Sequence, residues 1–175
     1  MKRLTLVIAA ALLLMAACCN KNADPRPEGH YTYAHAFEYD LQGSHLDVQE
    51  TGTMDFYSDG NALDSACQVY TMTLPTGDKA TCVFDYVSPS RWHLDGDTFY
   101  FAGIEESFRM KATEINMIEG GDSASASELA QEIVRVVGGS IDYQYKFHLD
   151  SLTVDKMQWS FTYRDGHSDT WEFYR

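Results

Sequence analysis

The residues best suited to hold a metal or move a proton near neutral pH are six histidines: His30, His35, His45, His93, His148 and His167. No two of them stand in an H-x-H or H-E-x-x-H arrangement, so their spacing carries no metal signature. Glu105-Glu106 and the pair Asp95 and Asp97 are the acidic groupings that chemistry could use. Asp95-Gly96-Asp97 is too short for a calcium loop and reads as turn chemistry, and a glycosidase pair needs a cleft separation that spacing alone does not supply. No serine lies in a G-x-S-x-G or S-x-x-K context. The expectation is a protein without catalytic residues, cofactor or bound metal.

Of the four cysteines, Cys67 and Cys82 lie well inside the chain, with no neighbouring histidine to activate either. They flank a predicted hairpin. A turn centred near Thr76-Gly77 sets Cys67 opposite Asp85 or Tyr86, whereas a disulfide with Cys82 requires a register centred nearer Leu74-Pro75, so the pairing stays open. The C-x14-C spacing is in either case structural, since it is no metal signature.

The other two cysteines belong to an export signal. Lys2 and Arg3 form a positive start, Leu4 to Met15 an apolar run, and small residues lead to Cys18. The run is shorter than the ~20 apolar residues needed to cross a bilayer, which favours removal over spanning. Leu14-Met15-Ala16-Ala17-Cys18 resembles the bacterial lipobox, with Met15 where leucine is commoner and Cys19 as second candidate for the modified residue. That resemblance implies cleavage of residues 1–17 and acylation of Cys18 by chains such as palmitate. At ~0.8 kcal/mol per buried CH₂, these would hold the protein firmly to a membrane. Residues 18–28, polar and proline-bearing, read as a tether. Cys19, not aspartate, follows Cys18, which by the usual sorting rule implies the outer membrane, on its periplasmic or its surface face.

Loss of residues 1–17 leaves 11 Lys and Arg against 26 Asp and Glu, a net charge of −15. Nucleic acid is disfavoured as a partner, because phosphate binding needs a basic face. The acidity serves solubility or a cationic or basic partner. Residues 29–175 are enough for one domain with a sizeable core.

Period-two alternation organises that domain. Tyr31, Tyr33, His35, Phe37 and Tyr39 share one strand face, opposite Thr32, Ala34, Ala36 and Glu38. The pattern recurs in Leu46, Val48, Met54 and Phe56; in Tyr143, Tyr145, Phe147 and Leu149; in Met157, Trp159, Phe161 and Tyr163; and in Trp171 with Phe173. Turn signals separate the strands at Gln42-Gly43, Asp59-Gly60, Thr76-Gly77, Asp95-Gly96 and Asp165-Gly166. The prediction is an all-β, antiparallel up-and-down barrel of about eight to ten strands, in sequential order. One helix near residues 126–137 interrupts it, with capping-box spacing at Ser125 and Glu128 and an apolar stripe of Leu129, Ile133, Val136 and Val137. Flanked by Gly120-Gly121 and Gly138-Gly139, it is expected to cover one barrel end and to control access there.

The domain resembles the lipocalin-like group of the calycin superfamily. The resemblance rests on the meander, on Gly29-His30-Tyr31 where lipocalins have G-x-W, and on Arg175 after the last strand, placed to pack across the first-strand ring. It implies a barrel that holds a small, partly apolar ligand without transforming it, lined by Tyr31, Tyr33, His35, Phe37, Tyr145, Phe147, Trp159, Phe161 and Trp171. The competing expectation is an interaction or structural lipoprotein of the cell envelope whose barrel is filled by its own side chains.

Overall fold

A computed structural model describes residues 26–121, 123–139, 144–163 and 166–175. The signal peptide, Cys18 and Cys19, and Tyr143 lie outside the described residues. Among the described residues nine strands follow in order: β1 (Gly29–Leu41), β2 (Ser44–Phe56), β3 (Asn61–Thr73), β4 (Lys79–Asp95), β5 (Thr98–Gly103), β6 (Arg109–Glu119), β7 (Gln144–Leu152), β8 (Lys156–Thr162) and β9 (Ser168–Tyr174). Helix α1 (Ser123–Gly138) separates β6 from β7. Every strand pairing is antiparallel, and eight strands close a calycin-like barrel in the order β1-β2-β3-β4-β5-β7-β8-β9 and back to β1.

Turn chemistry produces this meander. Gln42 and Gly43 both have positive φ, 52° and 79°, the backbone twist that a two-residue hairpin needs to join β1 to β2 in register from Leu41↔Ser44 to Gly29↔Phe56. The order is sequential except at β6, which stands outside the barrel. β4 is 17 residues long and shares one edge between two partners, β6 along Lys79 to Val87 and β5 along Ser90 to Asp95. Pro89, with no N–H to contribute to a ladder, sits at the changeover. The opposite seam is short. β1 meets β9 only at Thr32↔Tyr174 and Tyr33↔Phe173, and the remainder of β1 continues without that partner.

Alternation sends odd positions of β1, β5, β7, β8 and β9 and even positions of β2, β3 and β4 inward, and two cores result. One, around Tyr31, Met54, Phe56, Phe99, Met157, Trp159 and Phe173, fills one end of the barrel. The other joins Leu46, Val48, Tyr70, Met72, Cys82 and Phe84 to Ala126, Leu129, Ala130 and Ile133 of α1. The helix starts at Ser123, about a turn ahead of the predicted capping box, and Ser127 Oγ donates to the Ser123 carbonyl at 2.9 Å across that first turn. Its small and aliphatic stripe from Ala126 to Ile133 is therefore core, packed on the inward faces of β2 to β4. The last turn, at Val136 and Val137, lines the unfilled space beside that core.

Candidate binding cavity

Between the two cores the barrel is not filled. A cavity of about 440 Å³, partly open to solvent, occupies its middle, within the ~300–1,000 Å³ usual for small-molecule sites. Its two sides differ in chemistry. β5, β7, β8 and β9 contribute an aromatic wall of Phe101, Tyr145, Phe147, Trp159, Phe161, Trp171 and Phe173. β1 to β4 contribute the polar groups Glu50, Asp64, Gln68 and Ser88 among Tyr33, Tyr70 and Tyr86, with Phe37, Tyr39 and Met54 beside them. The rings of the first wall hold each other in place: Trp159 lies 4.8 Å from Phe147 and 4.5 Å from Phe173 between ring centroids.

The polar wall is organised by Tyr33. It pairs with Gly52 on β2, where a Cβ would stand 2.7 Å from the Ser65 carbonyl oxygen, 2.8 Å from Ala66 Cβ and 3.0 Å from Tyr33 Cζ. Only glycine leaves room for the Tyr33 ring to lie across β2, which sets its hydroxyl between two carboxyls, 2.9 Å from Glu50 Oε1 and 2.7 Å from Asp64 Oδ1. Both acids are more than nine-tenths buried. One hydroxyl has one hydrogen to give, so the second contact is a hydrogen bond only if that carboxyl is protonated and donates to the tyrosine oxygen. Burial pushes the Asp64 pKa well up, and the Glu50 charge pushes it further; burial also raises Glu50, opposed by hydrogen bonds from Tyr33 and Gln68. One carboxyl donating to Tyr33, with Tyr33 donating to the other carboxylate, satisfies every hydrogen, and the stronger upward push on Asp64 favours it as the acid. Burial and the two neighbouring acids keep Tyr33 itself fully protonated. At the far edge Tyr70 donates to Gln68 Oε1 at 3.2 Å. No lysine, arginine or histidine lines the cavity among the described residues.

No protein-family model matches the chain, and no curated protein is similar to it in sequence.

Seven of the nine residues expected to line the barrel border this cavity: Tyr33, Phe37, Tyr145, Phe147, Trp159, Phe161 and Trp171. Tyr31 does not. It is fully buried in the closed end, under the Arg175 guanidinium. His35 lies beside the cavity, stacked on Trp171 at 4.2 Å and on Phe37 at 5.5 Å, and burial lowers its pKa and keeps it neutral. Glu50, Asp64 and Gln68 were missed by the reading of the sequence. The signal for them is parity, because Glu50 shares the even face of Leu46, Val48, Met54 and Phe56, and Asp64 and Gln68 share that of Tyr70 and Met72.

Cys67 and Cys82 are free. The register pairs Cys67 with Asp85 and Cys82 with Tyr70, three positions apart along the ladder and on opposite faces of β3 and β4, so the disulfide left open in the sequence does not form. Cys82 faces the core, where burial pushes its thiol pKa up to about 11. Glu38, His45 and Asp47 bring ligand atoms within 4.8 Å of one another on the outer surface, but all three are exposed. His45 is also engaged by Asp40 at 3.0 Å. They form a solvated charge cluster.

Proposed function

We propose that this chain is a lipoprotein of the bacterial cell envelope, belonging to the lipocalin-like group, whose barrel binds a small, partly apolar molecule without transforming it. Acyl chains on Cys18 anchor it, residues 18–28 tether it, and the outer membrane is its site. The observation that carries the binding reading is the 440 Å³ cavity with one aromatic wall. A barrel serving only as a scaffold would fill that volume with its own side chains, because unfilled interior forfeits dispersion contacts. A way in is offered at the β1–β9 seam. There Phe37, Tyr39 and Tyr163 border both this cavity and a surface cleft that also includes Glu38, His167 and Asp169.

The test is titration of the membrane-extracted protein with N-phenylnaphthylamine, a neutral apolar probe that brightens when desolvated. Saturable binding at one site per chain is expected. It should be abolished by Ser88→Trp, or by Val137→Trp should the first variant fold poorly, since each ring would occupy the cavity. Fluorescence that rises without saturating, or is unchanged in a folded filled variant, would leave the envelope protein with its competing role as an interaction partner.

A further inference from the structure

The two walls of the cavity select a chemistry. Building on the proposed ligand-binding role, we infer that the ligand is an amphipathic amine, with its ammonium on the Glu50–Asp64 pair and its apolar body against the aromatic wall.

Two carboxyls and no basic side chain line one cavity among the described residues, and both acids are more than nine-tenths buried. A buried acid pair is costly unless something balances it. Among the described residues the fold supplies Tyr33 and Gln68 as hydrogen-bond donors but no cation, so nothing there balances the charge of the doubly ionised pair. An ammonium supplies one. Its three N–H groups match the acceptors that cluster here, and it would displace the single proton that the Tyr33 contacts require the pair to carry. An anionic ligand is disfavoured by the same acids. The surrounding rings add to the preference, because aromatic faces attract cations, and Tyr33, Tyr70 and Tyr86 stand on the acidic side.

The test uses three probes that share one apolar body, naphthylethylamine, naphthylethanol and naphthylacetate, titrated calorimetrically into the full protein at neutral pH. The amine should bind about ten- to a hundredfold more tightly than the alcohol, the gain expected for hydrogen bonds to charged groups, and the acetate most weakly. In Glu50→Gln/Asp64→Asn the ratio of amine to alcohol affinity should fall toward one. Should that variant not fold, the wild-type protein still decides: amine binding measured in buffers of different ionisation enthalpy should release a proton, and alcohol binding should not. Equal affinities of amine and alcohol, or amine binding without proton release, would overturn the inference while leaving the cavity as a binding site. Failure of all three probes to bind would remove both.

Discussion

The Arg175 guanidinium lies 4.8 Å above the Tyr31 ring, on the aromatic residue of Gly29-His30-Tyr31, and donates to its hydroxyl at 2.6 Å. The same group donates to the carbonyls of Arg26, Glu28 and Val154 at 2.6–2.9 Å, so one planar fork closes the end of the barrel. Lysine can keep the charge but not this geometry. Arg175→Lys is expected to destabilise by about 1–2 kcal/mol, the modest value befitting a largely exposed residue. A denaturant midpoint equal to that of the wild type would show that the clasp contributes nothing.

Gly52 has ordinary negative φ, so its role is space. Gly52→Ala should cost about 1–3 kcal/mol, as overpacking does, and should displace the Tyr33 ring from the acid pair. The check is thermal denaturation together with the pH dependence of stability. A fully stable variant with an unchanged pH profile would mean that the close approach at Ser65 and Ala66 is relieved without moving Tyr33.

Glu50 and Asp64 hold their protons more tightly in the folded chain than in the unfolded one, where such groups titrate near pH ~4. Above that pH the native state binds more protons than the unfolded state, so their contribution is fully present at lower pH and is lost as pH rises through the folded-state values. His35 acts in the opposite sense. Its folded pKa is lowered, so its contribution is present above the unfolded value of ~6.5 and is lost on acidification. Subtracting the profile of Glu50→Gln/Asp64→Asn isolates the acids. The difference should fall with rising pH by up to about 1.4 kcal/mol per unit for each proton retained. Parallel profiles would show that the pair is ionised in the fold.

The barrel was legible because one face of each strand is apolar, and alternation with glycine turns records that directly, as in Tyr31 to Tyr39 and the Gln42-Gly43 hairpin. What alternation does not record is the partner. β6 alternates like its neighbours except for a shift of phase between Ala112 and Ile115, yet it pairs with the first half of β4 and leaves β5 to β7, a choice set by the length of β4 and the break at Pro89. The start of α1 was missed because alanine and serine at 123–126 look like linker until Ala126 is seen to be fully buried. The aromatic half of the cavity was readable as a strand face. The acidic half was not, because Glu50 and Asp64 read singly as solvated residues, and only closure of the barrel turns their shared parity into a buried pair.

If the cavity between these walls accepts a ligand, the three tryptophans report it in one measurement. Trp159 and Trp171 line the cavity, whereas Trp92 lies outside it with its indole N–H donated to the Asn61 carbonyl at 2.8 Å. In a ¹⁵N-labelled sample titrated with naphthylethylamine, the indole N–H resonances of Trp159 and Trp171 should shift along a common saturating curve, while Trp92 stays in place. Resonances that do not move, or a Trp92 shift equal to theirs, would contradict binding in the cavity.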